Sequence, residues 1–143
     1  MKRIYLKADE LEQTVLERFE RYAQIEANEV KVEEYMMDDA EYAIVAFGAT
    51  SRIAKAAIQQ LREQGIKVGL IRPITLWPFP VAPFEKSLKT VKHFISVELS
   101  MGQMIEDVRL ATQCRVPVTL CNRVGGMIPS TDEVLAAIRK EAK

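Results

Sequence analysis

The sequence has few of the residues that most often carry chemistry in proteins. It contains two cysteines, Cys114 and Cys121, and a single histidine, His93, among 143 residues. The cysteines form no CxxC motif or other ligand pattern, so we expect free, buried thiols and no bound metal. Because His93 stands at the start of a predicted strand, a nucleophile of the Ser-His-Asp type has no base to activate it.

Net charge and long apolar runs are lacking as well. Lys and Arg number 20, as do Asp and Glu, so no net field attracts nucleic acid or an anionic membrane surface. No stretch is long enough to span a bilayer, and residues 1–7 lack the apolar segment of a signal peptide. These absences predict a cytoplasmic protein with neither nucleic-acid nor membrane partners, and the length allows one domain with a hydrophobic core.

The clearest local pattern lies at residues 43–51, AIVAFGATS. Its five apolar residues indicate a strand buried on both faces of a parallel sheet. Thr50 or Ser51 is expected to cap a helix over residues 52–64. A strand, the turn at Gly48 and Ala49, and a helix N-terminus bring backbone N–H groups together, which makes this turn a candidate anion site.

Strands and helices alternate along the rest of the chain, which predicts βαβ units in an α/β/α sandwich. A half-exposed edge strand is expected first, and Ser130 with Glu133 forms a capping box for the last helix. An amphipathic helix at 8–28 precedes this pattern, either as a linker between domains or as an extra helix on the same core. Further strands are predicted at 30–36, 67–71, 93–97 and 117–121, and further helices at 81–90, from about 103 to 113, and after 130.

Known nucleotide motifs are incomplete or missing. The turn at Gly48 offers one glycine where a dinucleotide-binding fingerprint has three, and Arg72 stands where a ribose-binding carboxylate is expected. No GxxxxGK[ST] phosphate loop occurs. A plain strand-to-helix turn is therefore the better interpretation of this segment.

Glu98 and a proline-rich loop are the other candidates. Glu98 follows a strand and precedes a helix start. It is expected to accept backbone N–H bonds, or to pair with an arginine such as Arg72, or to cap the helix and organise its loop. In the loop at 72–80, Trp77 and Phe79 either form an interface or fold back on the core. Together with residues 48–51, Arg72 and Glu98, a candidate anion-binding surface is completed by Ser100, Gly102 and Gln103. No catalytic constellation emerges from the residues alone.

Four stretches, at residues 34–48, 70–80, 97–103 and 125–129, resemble one family. They are similar to the C-terminal part of the alpha subunit of 2-oxoacid:ferredoxin oxidoreductases, most of all the 2-ketoisovalerate (3-methyl-2-oxobutanoate) type. The resemblance implies a transketolase C-terminal-like domain at 30–143 after a linker helix at 1–29. It implies five strands in the order 1-3-2-4-5 with strand 1 antiparallel, and a switch point between residues 48–51 and 98–103.

The same resemblance implies a function that belongs to a complex. The enzymes of this family oxidatively decarboxylate a 2-oxoacid to an acyl-CoA and reduce ferredoxin, with thiamine diphosphate, Mg²⁺, iron–sulfur clusters and CoA. This chain is then a non-catalytic domain, inactive and cofactor-free alone, which packs against the remainder of the alpha subunit and the beta and gamma/delta subunits, and meets ferredoxin only indirectly. The alternative is a free-standing small-anion or nucleotide-binding module that uses the helix N-termini after Gly48 and Ser100.

Overall fold

The computed structural model describes residues 7–142, in which strands and helices alternate after a long first helix. The strands are β1 (Val32–Tyr35), β2 (Tyr42–Ala46), β3 (Val68–Pro73), β4 (His93–Glu98) and β5 (Val118–Asn122). The helices are α1 (Ala8–Asn28), α2 (Ala49–Glu63), α3 (Val81–Ser87), α4 (Met104–Ala111) and α5 (Thr131–Glu141). Each predicted element after residue 30 is present, with ends displaced by a few residues.

The sheet has the order β1-β3-β2-β4-β5, with β1 antiparallel to β3 and the other neighbours parallel. This is the predicted architecture, strand order and orientation. β2 lies at the centre, and Ala46 near its end pairs with Val97 of β4. The segments that follow β2 and β4 therefore leave the same edge of the sheet side by side.

Two hydrophobic cores lie on opposite faces of the sheet, because successive residues of a strand point to opposite sides. Ile44 of β2 packs with Leu61 of α2 and Ile138 of α5. Its neighbour Val45 faces the other core, which contains Phe84 of α3. All five side chains are fully buried, so the sheet is the middle layer of an α/β/α sandwich.

The start of α2 differs from the prediction. The helix begins at Ala49, and neither Thr50 nor Ser51 accepts a bond from its backbone. Their hydroxyls instead donate to the carbonyl oxygens of Phe47 (2.8 Å) and Gly48 (2.7 Å). The predicted cap is therefore wrong, because both hydroxyls are used as donors inside the turn. The capping box of Ser130 and Glu133 at α5 is confirmed.

The burial of the cysteines differs in part from expectation, whereas the histidine lies where the sequence predicts. Both thiols are free, but Cys114 is exposed and Cys121 only half-buried, so the expectation of buried thiols is wrong for Cys114. His93 does stand at the start of β4, where it is buried between Thr119 (3.1 Å) and Glu141 (3.5 Å). His93 therefore lies at the end of the sheet where the parallel strands begin, opposite to the end that carries Glu98.

The first helix lies outside both cores. None of the residues of α1 is buried, and its apolar stripe of Leu11, Val15 and Phe19 faces outward. Tyr22 of this stripe contacts Trp77, with ring centroids 5.4 Å apart. The role of α1 as a linker between domains stays a prediction. Across residues 7–142, none of the helices combines the length and the apolar character that crossing a membrane requires.

Replacement of Gly69 in β3 tests how closely the turn after β1 packs on the sheet. A Cβ atom there would lie 2.5 Å from Sδ of Met37 and 2.6 Å from the carbonyl oxygen of Met36. Because the second contact is with backbone, we expect Gly69→Ala to lower the free energy of unfolding by about 1–3 kcal/mol, as overpacking does. Urea unfolding measures this, with exposed Gln60→Ala as control; equal stability of the two variants would contradict the packing described here.

Candidate functional site

Glu98, the last residue of β4, organises the edge of the sheet where the parallel strands end. Its side chain is 2% exposed and points toward α4. Both carboxylate oxygens are fully engaged in hydrogen bonds. The donors are the hydroxyls of Ser96 (2.7 Å) and Ser100 (2.7 Å) and the backbone N–H groups of Gln103 (2.8 Å), Met104 (3.1 Å) and Ile105 (2.8 Å).

These hydrogen bonds decide the charge state of Glu98. Burial by itself raises the pKa of this carboxyl, but the donors from Gln103, Ser100, Ser96 and Ile105 outweigh burial, so the pKa is lowered. The N-terminus of α4 thus already holds an anion, supplied by the chain itself. The structure gives Glu98 the capping role, and an added anion would have to compete with it for the same N–H groups.

Arg72 does not take part in this site. It lies on β3 directly opposite Glu33 of the antiparallel strand β1 and forms an ion pair with it (2.9 Å). Lys55 of α2 binds the same carboxylate, and the hydrogen bonds from Lys55 and then Arg72 lower the pKa of Glu33. The predicted pairing of Arg72 with Glu98 is therefore wrong, because the antiparallel register places a closer carboxylate beside the guanidinium.

The loop between Glu98 and α4 is held by short contacts. Ser100 accepts a hydrogen bond from the N–H of Gly102 (3.2 Å), and its carbonyl oxygen accepts one from the side chain of Asn122 (2.6 Å) at the end of β5. Gly102 has φ of +103°, a conformation that favours glycine. The sequence did not single out Asn122, although its place after the last apolar strand residue is a usable signal.

The residues at the start of α2 lie across from this loop. Gly48 and Ala49 are exposed, whereas Thr50 and Ser51 are buried. The parallel pairing of β2 with β4 brings this turn and Glu98 to the same edge of the sheet, as predicted for a switch point. Anion binding by the N–H groups of α2 stays a prediction.

A cleft of about 380 Å³ opens between the end of β2 and the start of α4. Apolar side chains form most of its wall, and Asp107 also lines it. Burial, followed by the charges of Glu98 and Glu106, raises the pKa of Asp107. The main lining residues are Phe47, Leu76, Glu98, Leu99, Met104 and Asp107. Sequence reasoning missed Asp107 because its position in the cleft depends on where α4 begins.

The two aromatic residues of the proline-rich loop have different surroundings. Phe79 stacks on Phe84 at 5.4 Å and so belongs to the core beneath α3. Trp77 is 56% exposed and contacts only Tyr22 among aromatic side chains of the described residues. One residue of the pair thus folds back on the core, and the other is available at the surface.

The residues present do not fit the metal cofactors that the resemblance implies for the full complex. An iron–sulfur cluster is held by a set of cysteine thiolates, and Cys114 and Cys121 are the only two cysteines of the sequence. Within residues 7–142, no three His, Cys, Asp or Glu side chains are grouped so as to hold a metal ion. Among the described residues, this edge of the sheet therefore offers no ligand set for such a metal cofactor.

Comparison with protein families identifies the chain. Residues 40–134 match the family model described as pyruvate:ferredoxin oxidoreductase core domain II. The chain belongs to this family. The core domain II match includes the turn at Gly48, Glu98 with its loop and the cleft, whereas α1 lies outside it.

Relatives of this core domain II are subunits of 2-oxoacid oxidoreductases. Ketoisovalerate oxidoreductase subunit VorB of Methanothermobacter thermautotrophicus is 49% identical over 139 residues, which are 97% of this chain and 39% of that protein. The 2-oxoglutarate:ferredoxin oxidoreductase structure from Magnetococcus marinus, with 2-oxoglutarate, coenzyme A and succinyl-CoA bound, matches with a TM-score of 0.83 and 23% identity. That match covers 97% of this chain and 24% of that one.

The fold is shared with transketolase. Transketolase from Campylobacter jejuni matches with a TM-score of 0.53 and 14% identity over 72% of this chain and 17% of that one. The predicted family resemblance and the transketolase C-terminal-like fold are therefore confirmed. The chain spans about two fifths of the length of the two VorB relatives, 39% of each.

We expect Glu98→Gln to destabilise the protein, because an amide NH₂ cannot accept the bonds that one carboxylate oxygen now accepts. The loss should be about 2–3 kcal/mol near pH 7, as for buried hydrogen bonds to a charged group. The pKa of folded Glu98 lies below its unfolded value of about 4.3. The stabilisation is therefore complete above that pH and is lost as the pH falls through the folded pKa.

Urea unfolding of both proteins over a series of pH values measures this difference. Glu106→Gln is the control, since Glu106 is exposed and pairs only with Arg109 of the same helix among the described residues. A loss of stability in Glu98→Gln no larger than in Glu106→Gln, or one that grows in acid, would show that the carboxylate does not hold α4 in place.

Proposed function

We propose that this chain is a non-catalytic domain of a thiamine-diphosphate-dependent 2-oxoacid:ferredoxin oxidoreductase of the 2-ketoisovalerate type. The complete enzyme would convert a branched-chain 2-oxoacid to its acyl-CoA and reduce ferredoxin. The observation that carries the proposal is the 49% identity to VorB over 97% of this chain. The relatives it matches are named as subunits, so the activity would belong to an assembly, in the cytoplasm.

The domain's contribution would be subunit packing and support of an active site built by its neighbours. Those neighbours would be the remainder of the alpha subunit and the beta and gamma/delta subunits, and they would hold thiamine diphosphate, Mg²⁺, iron–sulfur clusters and CoA. Glu98 supports this role because it uses its charge to fix the start of α4. Trp77 supports it because a large aromatic residue is left exposed on a proline-stiffened loop.

The alternative, a free-standing anion- or nucleotide-binding module, has less support. It relies on the N-termini of α2 and α4, and the N–H groups of Gln103, Met104 and Ile105 in α4 already donate to Glu98. Only the turn at Gly48 remains for an external anion. Of the two helix N-termini on which this alternative depends, only that of α2 has N–H groups that do not already bind Glu98.

A chimeric enzyme tests the proposed function. In the Methanothermobacter complex, the VorB segment that aligns with this chain is replaced by residues 1–143. We expect the chimera to assemble and to reduce ferredoxin with 3-methyl-2-oxobutanoate and CoA, because half of the residues already match and the fold is the same. Rates with pyruvate and 2-oxoglutarate, measured in parallel, report whether substrate choice is unchanged.

Two controls define the result. A VorB lacking the segment should lose activity, and a chimera carrying Leu110→Ala, a change at an exposed position of α4, should behave like the parent chimera. A chimera that assembles and keeps its substrate preference supports a packing and support role. A chimera whose substrate preference changes would contradict it, as would one whose subunits do not associate although the chain is folded.

A further inference from the structure

The edge of the sheet that carries Glu98 is apolar, and the opposite edge is charged. Each of the four loops that follow β2, β3, β4 and β5 exposes large apolar side chains here. We call this surface the rim; its most exposed members include Ile74, Leu76, Trp77, Met101, Met127 and Ile128. At the other edge, Glu41 pairs with Lys92 (2.6 Å) and Lys67 (3.8 Å), as expected of a surface that faces water.

The apolar stripe of α1 extends the rim. The contact of Tyr22 with Trp77 makes the stripe of α1 continuous with the rim.

The cleft beside Asp107 is a concave part of the rim. Its apolar wall contains Phe47, Leu76 and Leu99. Among residues 7–142, no cation and no hydrogen-bond donor contacts the Asp107 carboxylate, whereas its neighbour Glu106 pairs with Arg109 (2.7 Å). Asp107 is exposed at the cleft, and the negative charges of Glu98 and Glu106 nearby raise its pKa further, so a cation that docks here meets a concentration of negative charge.

We propose that the rim is a protein-docking surface anchored at the Asp107 cleft, and that its occupant is a partner segment that inserts an arginine or lysine beside an apolar side chain. The cation would neutralise Asp107, and the apolar groups would fill the space between Phe47 and Leu76. Interfaces commonly place arginine and apolar anchors in such pockets. The partner's place in the oxidoreductase rests on the proposed function; the chemistry of the cleft does not.

A protein segment fits these observations better than a small organic cation. A small ligand would fill the cleft but leave Trp77, Met101 and the α1 stripe uncovered. A protein surface covers all of them at once, and the continuity of the apolar area from Tyr22 to the cleft favours a large partner. A small cation is therefore one of the outcomes that the test must separate.

Titration of the ¹⁵N-labelled 143-residue chain with a capped peptide tests the anchor. The probe is acetyl-Leu-Arg-Leu-amide, and its controls are acetyl-Leu-Gln-Leu-amide and free arginine. We expect the Arg peptide to shift the amide signals of residues 99–107 saturably and to bind about tenfold more tightly than the Gln peptide, which corresponds to one partly desolvated ion pair. Asp107→Asn should remove this preference, and Glu106→Gln should keep it.

Each other result would overturn the inference. Equal binding of the two peptides, or equal binding by Asp107→Asn, would show that no cation is recognised. Free arginine binding as tightly as the Arg peptide would identify a small-cation site, and no saturable shift up to the solubility of the peptide would remove the anchor. Since the titration uses this chain alone, its failure is separate from failure of the chimera to assemble or to turn over substrate.

Discussion

The buried carboxylate of Glu98 is the contact on which the edge of the sheet depends. It ends the strand β4, binds three successive N–H groups at the start of α4, and holds the serines on either side of it. A helix N-terminus carries a partial positive charge and unpaired N–H donors. Here the Glu98 carboxylate both compensates the charge and accepts hydrogen bonds from the donors. The loop to α4, the position of Asp107 and the cleft all follow from that arrangement.

This use of the helix N-terminus places a carboxylate of the chain itself on one side of the switch point. In open α/β sheets, ligands collect where the chain leaves neighbouring strands toward opposite faces. Here α2, after the glycine turn of β2, packs in the core with Ile44, whereas α4, after β4, packs in the core with Val45. The chain fills the α4 side with its own anion and surrounds it with apolar side chains such as Phe47 and Leu76. An edge of this chemistry suits contact with protein, in keeping with a domain of a larger oxidoreductase.

Much of the fold was predictable because its signals are local. The apolar run before Gly48, the box of Ser130 and Glu133, and the alternation of strands and helices each depend on neighbouring residues. The strand order and the antiparallel first strand came from the family resemblance, since periodicity says nothing about which strands are neighbours. The position of Glu98 between an apolar strand and a helix start was sufficient to suggest a cap.

The errors came from interactions between distant segments or from the direction of a donor. Arg72 binds Glu33 because the antiparallel register of β1 places them opposite each other, and no local pattern encodes that register. Thr50 and Ser51 have the right residue types for a cap, but their hydroxyls donate where a cap must accept. Asp107 was missed because its neighbours in the cleft come from three separate segments of the chain.

The most direct test of this account is the titration of Glu98 itself by NMR. Its side-chain carboxyl ¹³C and the amide protons of Gln103, Met104 and Ile105 should titrate together, with a pKa below that of an ordinary glutamate, and added phosphate should leave these amides unchanged at neutral pH. If Glu98 titrates at or above the ordinary value, or if phosphate displaces it and shifts the three amides, then the start of α4 is an open anion site and the central claim is wrong.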